Sequence, residues 1–168
     1  WKDDDLQASN YSASYSPLIG LSMTLVKGIT VSTRYSTAKK VQNRFQGNNN
    51  SSEIKLDRNL STSANYSHRG GLKVPIFFFR DLNLENTINF TLTLDFSESV
   101  ARSRNNALVS FSKPLRQKSW KISPRVSYSF SRLVTGGIWY EYRESDHYIA
   151  GKRVDRDFGF EVNLAIQG

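Results

Sequence analysis

The chain has 168 residues, with 23 Lys and Arg against 15 Asp and Glu, no cysteine and 38% apolar or aromatic residues. That length allows one domain of ordinary size, and the missing cysteines exclude disulfides and thiolate metal sites. No apolar run approaches the roughly 18–20 residues of a membrane helix.

The net charge of +8 and pI of about 9.8 raise nucleic acid as a partner. The basic residues are scattered, however, with no basic helix and no aromatic stacking platform, so no nucleic-acid partner is expected. The mean hydropathy of −0.50 does not exclude a transmembrane β-barrel, whose strands alternate and keep the mean low. The opening WKDDDLQASN has neither a basic n-region nor an apolar h-region, so no secretory signal lies within it. The expectation is a mature envelope protein or a piece of a longer one.

In chain order, period-2 alternation recurs almost throughout. Tyr11, Ala13, Tyr15, Pro17, Ile19, Leu21, Met23 and Leu25 hold one parity, with mainly Ser, Gly and Thr between them. Lys27-Gly28 follows as a tight turn, then Ile29, Val31, Thr33 and Tyr35 continue the pattern. Residues 40–52, centred on GNNNSS, read as a long polar loop. Alternation resumes at Ile54, Leu56, Leu60, Thr62, Ala64 and Tyr66, where Arg58 breaks the apolar parity. It is either a snorkelling side chain or the mark of a bulge.

Residues 67–84 form a connection holding LKVPIFFFRDLN. The clearest strand is TINFTLTLDF, Thr87–Phe96, with Ile88, Phe90, Leu92, Leu94 and Phe96 on one face and Asn89, Thr91, Thr93 and Asp95 on the other. A basic loop is predicted over 103–119. Further strands run through Ile122–Phe130, Ile138–Tyr142 and Phe158–Ile166, joined by a short turn at Arg132–Gly137 and a modest loop at Tyr148–Arg153.

The fold expectation is all-β: an antiparallel transmembrane β-barrel segment of about seven long strands covering 1–168, the C-terminal arc of a larger barrel. Single-chain bacterial barrels close with even strand numbers, and an open sheet leaves backbone groups unpaired in lipid. A soluble β-sandwich is the rival; its outer face would carry more Lys and Glu. Short turns at 27–28 and 132–137 share one side, and the longer loops share the other, as periplasmic turns and extracellular loops do.

The sparse charges of the polar parity, Arg34, Asp95, Arg125, Glu141, Arg143 and Glu161, are candidate pore-lining residues. The plain alternative is that they pair across strands or hydrate the wall. Phe77-Phe78-Phe79 is a candidate contact for a periplasmic partner or plug, against simple packing of a connector. Glu144-Ser145-Asp146-His147 is the best place for hydrolytic chemistry, but a solvated loop edge explains it better. No catalytic residue, metal or cofactor is expected.

Several stretches resemble the C-terminal region of the SprA/Sov family: Ser16-Pro17-Leu18-Ile19-Gly20-Leu21, GLKVP (Gly71–Pro75), NTINFTLTLDFSES (Asn86–Ser99) and WKISPRVSYSFS (Trp120–Ser131). That family comprises the large outer-membrane translocons of the Bacteroidota type IX secretion system, linked to gliding motility. The resemblance implies a wall of a wide pore passing folded secreted cargo, set in outer-membrane lipid and served by accessory plug or periplasmic subunits. It transfers no catalytic residue. The basic 103–119 loop and the triple phenylalanine depart from the pattern. Alternatives are the arc of another barrel (a nutrient receptor or lipopolysaccharide-assembly protein), an outer-membrane hydrolase or a sandwich binding module.

Overall fold

The computed structural model describes residues 8–25, 28–46, 49–70, 72–76, 79–84, 86–105 and 111–165. Its strands are β1 (Ala8–Thr24), β2 (Ile29–Gln46), β3 (Asn49–Arg69), β4 (Leu72–Ile76), β5 (Phe79–Leu84), β6 (Thr87–Asn105), β7 (Leu115–Ser129), β8 (Val134–His147) and β9 (Gly151–Leu164). Seven of them form one sheet in the order β1-β2-β3-β6-β7-β8-β9, and β4-β5 form a separate hairpin. Every pairing is antiparallel. β1 and β9 are the free edges, so the sheet is open and not closed into a barrel.

The strands are longer than alternation alone indicates. β3 has 21 residues, roughly 70 Å at about 3.4 Å per residue. The expected loop at 40–52 is corrected: Gln46 pairs with Asn49, and the ladder runs unbroken on either side of the two residues between them. Asn43 and Ser52 put polar side chains on the face that Val41, Phe45 and Ile54 share, which weakens the period-2 signal, while backbone pairing, which is indifferent to side chains, continues. The 103–119 loop shrinks for the same reason, because β6 runs to Asn105 and β7 begins at Leu115. Ser112 N–H donates to Ser103 O at 2.8 Å, folding the returning chain against β6.

At the opposite end the connections are tight. Leu25 N–H donates to Ile29 O at 2.7 Å, and Gly28 takes φ 78°, a value open to glycine at no steric cost. Between β7 and β8, Ser131 Oγ accepts from the N–H groups of Leu133 and Val134, both at 3.1 Å. This turn is held by a serine side chain. The 67–84 connection is not plain loop but carries the β4-β5 hairpin. Phe77 and Phe78 lie outside the described residues, and Phe79 opens β5.

Two prolines mark the irregularities. Between Tyr15 and Ile19 of β1 the register slips by two residues around Pro17, as befits an edge strand. The even slip preserves facing, so Tyr11 and Leu21 stay on one side. Pro124 keeps its register with Leu92 of β6, but the pairing with β8 is interrupted between Ile122 and Arg125, where proline has no N–H to give.

Register divides the sheet into two faces. One carries Leu21, Val31, Ala64, Leu92, Tyr140 and Phe160; the other carries Ser22, Ser32, Ser63, Thr93, Ser123 and Gly159. Among the described residues nothing covers the apolar one: Leu21 is 59% exposed and Phe160 78%, and only Ile88 is a buried hydrophobic. The chain exposes 13524 Å², against roughly 8,400 Å² for a compact globular chain of this mass. The sheet is a single layer that lacks half of its packing.

Candidate functional site, the polar wall

Alternation places all six candidate pore-lining residues on the polar face, and pairing decides which of them meet. One register row crosses the sheet as Arg34, Ser61, Asp95, Lys121, Arg143 and Asp155. Ser61 Oγ donates to Asp95 Oδ1 at 2.6 Å, and Lys121 Nζ lies 3.2 Å from Asp95 Oδ2. The same ammonium lies 3.7 Å from Glu141 Oε2, which also accepts from Ser123 Oγ at 3.3 Å. Arg143 Nη2 donates to Glu141 Oε1 at 2.6 Å. Asp95, Glu141 and Arg143 therefore form one network.

Arg125 and Glu161 form a second pair at 3.8 Å. Arg34, three strands from the Lys121 centre, is joined to neither cluster. These are the cross-strand pairs that sheet geometry favours. Lys121 is the residue that sequence reading missed. Its parity was legible, but its position between two carboxylates depends on register alone.

Around the network the wall is made of hydroxyls in mutual contact. Ser32 and Ser63 hydroxyls meet at 2.8 Å, Ser97 and Ser119 at 2.6 Å, and Thr91 donates to Asn65 Oδ1 at 3.0 Å. Where Pro124 interrupts the β7-β8 ladder, a cavity of about 350 Å³ opens between Thr91, Lys121, Arg125, Trp139 and Glu141. Trp139 is the one large aromatic on this face of β8, and its indole lies over Gly159 of β9.

Every carboxylate of the Lys121 network has a basic partner, and the groups remain a quarter to half exposed. Such pairs contribute about 0–1 kcal/mol each. Lys121→Ala is expected to cost about 1 kcal/mol or less in denaturant unfolding. Its effect should couple to Asp95→Ala by about 0.5 kcal/mol and add independently to Arg34→Ala. Equal additivity with both partners would dissolve the network.

The structure does not bring the Asp146 and His147 side chains together. Adjacent strand residues point to opposite faces: Asp146 shares a face with Lys118, and His147 shares the other with Gln117. His147 Nδ1 accepts from the Ile149 and Ala150 N–H groups at 3.2 and 3.3 Å, so it holds the β8-β9 turn. His68 stands at the other end of the sheet, bonded to Tyr66 Oη at 3.2 Å. Among the described residues no three His, Asp or Glu side chains gather as a metal site would require.

Arg58 is explained by pairing and not by a bulge. Its register with Glu98 is continuous, and Nη1 lies 3.5 Å from Glu98 Oε2, with Arg116 Nε 3.5 Å from Oε1. No protein-family model, curated protein or solved structure matches the chain.

Proposed function

We propose that this sheet is an arc of an outer-membrane β-barrel, its apolar face against lipid and its polar face lining a wide aqueous pore. One observation carries the reading. On β6 the apolar face runs Ile88, Phe90, Leu92, Leu94, Phe96 and then turns to Glu98. Those nine residues span roughly 27 Å, within the 9–11 residues a tilted membrane strand needs.

The upper border of that band descends across the sheet. The first charged residue on the apolar face is Lys39 on β2, Arg58 on β3, Glu98 on β6, Lys118 on β7, Glu144 on β8 and Arg156 on β9. From Lys39 to Arg156 it falls six residues in register, roughly 20 Å over five strand spacings of roughly 4.8 Å. A level surface meeting the strands at a tilt of about 40° produces that slope, and membrane barrels tilt their strands by about 35–45°. Tyr35, Phe96 and Trp120 share the register row just beneath Arg58, Glu98 and Lys118, as an interfacial aromatic belt would.

Within barrels, the resemblance of Thr87–Phe96 and its neighbours to SprA/Sov proteins favours a protein-export translocon. The wall chemistry suits it: paired charges and bonded hydroxyls offer passing cargo few unmet partners. On this reading the strand extensions beyond the charged border face outward. The hairpin carrying Phe79 faces the periplasm, where plug or accessory subunits would dock. The open edges are completed by further strands of the barrel.

A chain without cysteine permits a clean test by single-cysteine labelling in intact cells. Thr93→Cys is expected to react with a water-soluble maleimide and to cross-link secreted proteins in transit. Leu94→Cys should resist that reagent and take up a lipid-borne photoprobe. Equal aqueous reactivity at the two positions would end the membrane reading. Labelling of the expected pattern without protein cross-links at Thr93→Cys would favour a receptor or assembly barrel over an exporter.

A further inference from the structure

Charge on the apolar face is confined to one end, and there it is unbalanced. Within four residues above the lowest charged row of β3, β6 and β7, roughly 14 Å of strand, stand Lys39, Arg58, Arg102, Arg116 and Lys118. On β2, β3, β6 and β7 the apolar face offers one carboxylate in return, Glu98, and it is shared by Arg58 and Arg116; on β8, Asp146 stands in register with Lys118 but outside ion-pair distance. Among the described residues, no carboxylate lies within ion-pair distance of Lys39, Arg102 or Lys118. The polar face is mixed, with Lys40, Lys55 and Asp57 at the same height and Glu53 and Arg44 just above. A general need for solubility would have charged both faces alike.

Three cations without an ion-pair partner on one face, above an aromatic row, match the position and sign of lipid phosphates at a membrane boundary. Their long aliphatic stems reach past the apolar border while the charged groups stay in the headgroup layer. Guanidinium groups suit phosphate oxygens by forked hydrogen bonding. We infer that the Lys39-Arg102-Lys118 face binds the phosphate groups of an anionic membrane lipid, seating its headgroup beside β2–β7. Glu98 then orders Arg58 and Arg116 at the floor of the site and leaves the other three cations to the ligand. The inference rests on the membrane reading above.

The test uses the protein extracted in detergent in the form in which cells make it. It is titrated with a bis-phosphorylated glycolipid, and separately with the same lipid dephosphorylated, and bound lipid is counted by native mass spectrometry. At least tenfold tighter retention of the phosphorylated lipid is expected. The variant Lys39→Gln/Arg102→Gln/Lys118→Gln should reduce that preference to less than twofold. Lys40→Gln/Lys55→Gln, at the same height on the polar face, should leave it intact.

Equal retention of the two lipids, or an unchanged preference in the triple variant, would overturn the inference. Single-cysteine labelling at Thr93 and Leu94, which involves none of these charges, reports separately whether the sheet sits in a membrane. If it does not, the lipid site falls with it.

Discussion

Leu92→Arg is expected to destabilise the folded protein in lipid by about 2–4 kcal/mol, and Thr93→Arg, one residue further, by under about 0.5 kcal/mol. Leu92 is central in the apolar run of β6, two positions from either end, with Ala64 and Pro124 as cross-strand neighbours. The charged row at Glu98 stands six residues along β6, roughly 20 Å away, beyond the reach of an arginine side chain at 92. Thr93 sits in the hydroxyl wall beside Ser63 and Ser123, where a further charge stays in water. The measurement is urea unfolding in bilayers, with the yield of heat-modifiable protein in membrane fractions as the cellular counterpart.

A soluble sandwich would also reject an arginine at Leu92, so Leu92→Ala separates the two. A closed protein core would lose about 2–5 kcal/mol through the cavity. Against lipid, mobile acyl chains fill the space, and the expected cost is about 2 kcal/mol, the transfer term alone. A loss above about 3.5 kcal/mol for Leu92→Ala would mean that protein, and not lipid, covers this face.

Gly159→Val is expected to cost about 1–3 kcal/mol by overpacking. A Cβ on Gly159 would lie 2.6 Å from Cζ2 of Trp139, 2.7 Å from Cε2 and 2.8 Å from Nε1, so the whole indole must leave its seat. Aromatic side chains laid over cross-strand glycines cover backbone that the missing side chain leaves bare. Here the indole also forms one side of the opening made by Pro124. Trp139 fluorescence should shift to the red as the ring moves into solvent. In the double variant Trp139→Ala/Gly159→Val the two losses should fall short of additivity by more than about 0.5 kcal/mol. Strict additivity would mean the two residues do not share a seat.

Much of this was legible in the linear chain because the β period is two and needs no partner to be seen. Facing followed from it at once: Arg34, Asp95, Arg125, Glu141, Arg143 and Glu161 all share one side. What failed was whatever depends on the second strand. Lys40–Ser52 read as loop because its sequence is mostly polar and only Val41 and Phe45 hold the apolar parity, yet Gln46 and Asn49 close a ladder. Arg58 read as a snorkelling side chain or a bulge, and register set Glu98 beside it, with Arg116 on the same carboxylate. Asp146 and His147 looked like neighbours in chemistry because they are neighbours in sequence, and a pleated strand turns them apart.

The sequence by itself determined an all-β chain with one apolar and one polar face, since alternation is a property of consecutive residues. Only the tertiary structure decided that the strands form one open, uncovered sheet and that Lys121 joins Asp95 to Glu141. It alone revealed that the charged border of the apolar face descends across the strands. Each of these depends on register, which is set by hydrogen bonds between strands that no single strand contains.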